Sequence, residues 1–133
     1  MPVEVLVTLA RAMSDPMRVR ILALICGREV CVCELCEVLG ARQSTLSTHL
    51  AAIRRAGLAR ARREGRWMHY SLAPAWRPRV VAFLALAGEA AGPRGWRSRD
   101  ERRWMACTRA GGTGLCREAG GATKRGGGHA DAS

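Results

Sequence analysis

Acid is scarce in this chain: 11 Asp and Glu stand against 22 Lys and Arg, for a formal charge of +11. That imbalance argues for an anionic partner such as nucleic acid or a membrane surface. Lysine is almost missing, with Lys124 the only one, so the excess is arginine, whose planar fork suits phosphate and guanine edges. Long apolar runs are missing too. The longest, Val80 to Ala87, is too short to cross a bilayer, which removes the membrane as a partner. The N-terminus, Met1-Pro2-Val3-Glu4, has neither the basic flank nor the apolar core of an export leader, so a cytoplasmic protein is expected. In that reducing compartment clustered thiols bind metals more often than they form disulfides. No phosphate-binding loop, nucleophile–base pair or internal repeat is present, and an enzyme is not expected.

What is there is mostly helix. Val3 to Met13 reads as a short helix, and Ser14-Asp15-Pro16 as a break with Asp15 capping the next one. That second helix places Val19, Leu22, Ile25 and Cys26 on one stripe and stops at Gly27. A third runs from Val32 to Leu39 and ends at Gly40, and a fourth from Gln43 to Ala56, with Leu46, Leu50 and Ile53 inward and Gly57 as its cap. Two helices joined by a short turn containing Gly form a helix-turn-helix pattern. The period then changes: Leu58 to Arg63 and Arg66 to Leu72 flank Glu64-Gly65 as a β-hairpin. A last helix is expected from Arg79 to Ala91, too apolar for one small monomer to cover and suited to pairing with the first helix of a second copy.

The fold class predicted is therefore mainly α with a small β-hairpin, a winged helix-turn-helix dimerising through its first and last helices. Residues 1–92 form the DNA-binding, metal-sensing and dimerisation domain. They carry 13 arginines against 7 acids, and residues 93–133 carry 9 basic residues against 4 acids. The latter segment, rich in Gly and Arg, is read as a mostly disordered tail in which Trp96 and Trp104 could dock locally, because it buries too little apolar surface to offset its ordering entropy. It is expected to be dispensable for sensing.

In a winged helix the second helix of the pair enters the major groove of double-stranded DNA with its N-terminal residues. Here these are Gln43, Ser44, Thr45, Ser47, Thr48 and His49, small hydrogen-bonding side chains apart from the imidazole, which is placed to donate to a phosphate. Arg62, Arg63 and Arg66 surround the hairpin tip, placed for the DNA backbone or minor groove.

Just ahead of that element stand Cys31, Cys33 and Cys36. Cys33 and Cys36 share a helix face, whereas Cys31 on a continuous helix points nearly opposite. The three sulfurs meet on one ion only where the chain at Cys31 lies outside the helix or its first turn unwinds. Thiolates select soft ions. Three of them with no evident fourth ligand suit a pyramidal centre such as As(III) or Sb(III), whereas Zn²⁺ or Cd²⁺ normally takes four ligands. A Cd²⁺ or Pb²⁺ sensor recruiting Cys107 or Cys116, and a thiol redox switch, are the rival readings.

Residues 5–73 resemble the arsenical-resistance repressors of the ArsR/SmtB group of winged-helix metalloregulators. The likeness rests on Ser14-Asp15-Pro16-Met17-Arg18-Val19-Arg20-Ile21-Leu22, Cys31-Val32-Cys33-Glu34-Leu35-Cys36, Gln43-Ser44-Thr45-Leu46-Ser47-Thr48-His49-Leu50 and Arg63-Glu64-Gly65-Arg66-Trp67-Met68-His69-Tyr70. The resemblance implies a cytoplasmic homodimer that binds operator DNA with no cofactor and represses its own resistance operon until As(III) or Sb(III) occupies Cys31, Cys33 and Cys36. The last helix lacks the Asp and His ligands of the zinc sensors, and the N-terminal arm lacks the cysteines of the cadmium and lead sensors.

Overall fold

The computed structural model describes residues 2–86 and 94–109. In chain order it contains α1 (Val3–Ala12), α2 (Pro16–Ile25), β1 (Val30–Cys31), α3 (Val32–Leu39) and α4 (Gln43–Arg55). The hairpin β2 (Ala59–Glu64) and β3 (Trp67–Leu72) follows, then a 3₁₀ turn (Pro74–Trp76), α5 (Arg77–Ala85) and α6 (Trp96–Arg109). This is the winged helix-turn-helix that the sequence predicts.

Local chemistry sets the boundaries. Asp15 Oδ1 accepts the backbone N–H of Met17 at 2.8 Å and of Arg18 at 3.2 Å, capping α2. Pro16 takes the first helical position, where its missing N–H costs nothing. Helix α3 ends at Gly40, whose φ of 63° lets its N–H turn back to the Cys36 carbonyl. A side chain there would be strained. That turn aims α4.

The sequence stripe on α2 proves too narrow. Ile21, Leu22, Ala23, Leu24 and Ile25 are buried in succession, because α3, α4, α5, α6 and β3 all pack on this helix. Leu35 and Val38 of α3, Leu46, Leu50 and Ile53 of α4, Leu58 and Val80 complete the core. Burying each of these side chains contributes about 1.5–3 kcal/mol.

Three features depart from expectation. The sheet has three strands in the order β1-β3-β2, all antiparallel, with Val30 opposite Tyr70 and Cys31 opposite His69. Strand β1 is too short for any sequence pattern. Second, residues 96–109 are not disordered: α6 lies against α2 and α3. Asp100, 2 % exposed, receives two hydrogen bonds from Arg20 at 2.9 Å each. Arg28 makes the same bidentate pair with Glu101 and stacks 4.3 Å from the centre of the Trp104 ring. These pairs supply the stabilisation that the poor apolar content of the segment does not. Third, α5 begins two residues earlier than expected and is followed by α6, so it is not the last helix; residues 87–91 of the expected span, like 110–133, lie outside the described residues.

Val3, Leu6 and Val7 of α1, Val81 of α5 and the adjoining Leu86 remain exposed. No helix among the described residues is long and apolar enough to cross a membrane.

Candidate thiol site and nucleic-acid interface

Cys31 is at once the last residue of β1 and the N-cap of α3. Its φ of −71° and ψ of 144° are extended, so its side chain leaves the chain ahead of the first helical turn. That placement brings its sulfur to 2.7 Å from the Cys33 sulfur, both buried. The Cys31 backbone N–H donates to Glu34 Oε1 at 2.9 Å, tying the helix start to its own first turn. Cys36 is half-buried about one turn further along. Among the described residues, no three His, Cys, Asp or Glu side chains are gathered closely enough to hold an ion. The Cys31 and Cys33 sulfurs are therefore together, and the Cys36 thiol lies near enough to add to the rise in the Cys31 pKa.

Burial pushes the Cys31 thiol up to about 11, against the lowering pull of the Cys33 and Glu34 backbone N–H groups, while the Glu34 carboxylate raises it further. Burial raises Cys36 as well. Both are neutral thiols near pH 7. Such thiols are weak nucleophiles, because the thiolate is the reactive form.

Helix α4 presents Gln43, Ser44, Thr45, Ser47 and Thr48 to solvent at its N-terminal end, with the Thr48 hydroxyl donating to the Ser44 carbonyl at 3.3 Å. His49 does not join them. It shares the inward side with Leu46 and Leu50, with Nδ1 3.5 Å from Arg18 Nη1 and Nε2 3.9 Å from Asp15 Oδ1. Arg18 is itself fixed there by the Ala12 and Arg11 carbonyls, at 3.1 and 2.9 Å. The imidazole thus joins α4 to the start of α2 rather than facing a phosphate.

The wing arginines also divide. Arg62 is clamped by Glu29 at 2.6 Å and Glu64 at 2.9 Å. These pairs make Arg62, half exposed, a brace between the hairpin and the approach to β1. Arg63 and Arg66 are exposed and form no ion pair among the described residues.

Sequence reasoning passed over Arg54, Arg55 and Tyr70. With Ser47 and Ala51 they line a groove of about 390 Å³ between α4 and the wing. The signal was available: positions 47, 51, 54 and 55 continue the outward face of Ser44 at helical spacing. Cys107, assigned to a disordered tail, is buried on α6, with the Glu34 and Glu37 carboxylates of α3 near enough to add to the rise that burial causes in its thiol.

Residues 15–61 match the family model described as bacterial regulatory protein, arsR family. Over 79 residues the chain is 37 % identical to the arsenical resistance operon repressor of Escherichia coli K12, covering 56 % of this chain and 68 % of that protein. It is 42 % identical over 65 residues to an arsenic resistance transcriptional regulator of Pseudomonas putida KT2440, covering 48 % of this chain and 51 % of the relative. The fold is similar to the homodimeric winged helix-turn-helix DNA-binding domain Mb0332 of Mycobacterium bovis, at TM-score 0.59 and 27 % identity, over 66 % of this chain and 82 % of that one.

Proposed function

The chain belongs to the arsR family of bacterial regulatory proteins, whose members are DNA-binding transcription regulators and not enzymes, and we propose that it represses an arsenic-resistance operon until trivalent arsenic or antimony binds Cys31, Cys33 and Cys36. The observation that carries this reading is the Cys31–Cys33 sulfur pair, buried at the joint between the wing sheet and the helix that supports the recognition helix.

The reading works as follows. A homodimer forms through the exposed apolar residues of α1 and α5. Its two α4 helices enter major grooves about one DNA turn apart, and Arg63 and Arg66 add salt-dependent grip on the backbone. To place all three sulfurs on one atom, the first turn of α3 has to rotate or unwind, breaking the Cys31 N–H to Glu34 bond and pulling on α4, which packs on α3. The ion needs only to bind that altered form better. A coupling of about 2–3 kcal/mol lowers DNA affinity roughly 30- to 150-fold.

Neutral thiols favour a neutral inducer. With all three cysteines reduced, As(OH)₃ and three RSH give As(SR)₃ and three waters, so the buried site gains no charge. A divalent cation on three thiolates leaves a net negative charge in an apolar place, which is costly. A gel-shift titration of an operator duplex with arsenite, antimonite, Cd²⁺, Pb²⁺ and peroxide tests the reading. Release by arsenite or antimonite at the lowest concentration is expected; release by Cd²⁺ or Pb²⁺ alone would replace it with the divalent-cation sensor.

A further inference from the structure

The fold sorts the charges of α6. Both of its acids face inward and are spent on internal pairs, Asp100 on Arg20 and Glu101 on Arg28. Four of its five arginines, Arg99, Arg102, Arg103 and Arg109, are exposed and spread over about a third of the helix circumference, while Arg97 is half-buried. Arg99 keeps only a 3.9 Å approach to Asp100, which Arg20 already holds. The exposed arc of α6 is therefore basic, with no acid of its own helix left to offset it; the neighbouring acids are Glu34 and Glu37 of α3, beside Cys107.

Its position gives the arc a partner. Arg103 Nη1 donates to the Val38 carbonyl at 3.3 Å, two residues before the Gly40 turn that aims α4 at DNA. The basic arc thus continues outward from the turn between the two helices of the DNA-binding pair. An acidic protein would need a face of its own chemistry here, whereas duplex DNA in the groove already runs its backbone past this turn. We infer that α6 is a second DNA-contacting element, in which Arg99, Arg103 and Arg109 hold phosphates flanking the half-site read by α4. This rests on the DNA-binding reading of α4 and lengthens the footprint of each protomer without adding base specificity.

The test uses the full chain and a duplex that the wild-type protein itself selects from a random-sequence pool, with flanks of one helical turn on each side. Hydroxyl-radical footprinting of the wild type should protect backbone positions beyond the half-sites as well as within them. In R99Q/R103Q/R109Q the flanking protection should vanish while the half-site protection remains, and the slope of log K against log salt should flatten by about 2–3 per protomer. Because Arg103 also touches α3, R99Q/R109Q is run in parallel and should lose about two-thirds of that change, and R99K/R103K/R109K should restore the flanking protection. Unprotected flanks in the wild type, or an unchanged salt slope in both glutamine variants, would overturn the inference while leaving α4 as the reading helix. Loss of half-site protection in the wild type would overturn the DNA reading itself.

Discussion

Cys31 and His69 face each other across the β1–β3 ladder, so the first thiol of the candidate site is part of the same sheet as the wing. On its other side Cys31 begins α3, which packs on the recognition helix. A shift of this one residue is delivered to both DNA-contacting elements, and neither needs a separate relay. The geometry suits a site that must loosen the whole DNA-binding surface from one position.

The first prediction concerns the trigger. Cys36→Ser or Cys33→Ser should bind operator within about threefold of wild type yet fail to release it with arsenite, because a hydroxyl is a hard and weak ligand for a soft ion. Gel shifts with and without arsenite measure both. Arsenite release that survives both single substitutions would remove these residues from the site.

The second concerns pH. With Cys31 neutral to about 11 and Cys36 also raised, the thiol protons leave in the water formed with As(OH)₃, and arsenite affinity should be nearly flat from pH 6 to 8. A divalent cation must expel up to three protons into solution, so its affinity should climb by as much as ~1000-fold per pH unit. Calorimetry in buffers of different ionisation enthalpy counts the protons directly. Arsenite binding that strengthens steeply with pH would mean the thiols are ionised on capture, not neutral.

The third separates the wing arginines. Removing Arg63 and Arg66 should flatten the salt slope by about 2 per protomer with unchanged sequence preference. Arg62→Gln should change the slope little, since Glu29 and Glu64 already neutralise that guanidinium. A larger slope change from Arg62→Gln than from the double variant would reverse the assignment.

The fourth concerns α6. Asp100→Ala leaves Arg20 partly buried without its partner and should cost about 2–3 kcal/mol by urea denaturation. Ending the chain at Gly92 should cost more, because it also removes Trp96, Trp104 and Cys107 from the core and uncovers the faces of α2 and α3 beneath them. A truncated protein as stable as the full chain would show that α6 contributes nothing to the fold.

Much of this was legible from local pattern. The Asp15-Pro16 cap, the Gly40 turn and the Leu46–Leu50–Ile53 spacing each encode their element within a few residues, and the structure follows them. What escaped was non-local. Strand β1 exists only because β3 lies beside it forty residues later, and α6 is held by Arg20 and Arg28, whose partners stand more than seventy positions away. No window of sequence contains both halves of such pairs. The internal partners of His49 and Arg62 were hidden in the same way: Asp15 and Arg18 lie against the one, Glu29 and Glu64 against the other.

If two copies pair through the apolar side chains that α1 and α5 leave in water, as proposed, the level of this protein matters more than its affinity alone. A lone copy carries one recognition helix, so below the dimer dissociation constant the population able to span two half-sites follows the square of the amount present. Halving the protein then leaves about a quarter of that population, by mass action. Cell division or a brief lapse in synthesis would thin the repressor steeply, and a gene under its control would switch over a narrow span of abundance.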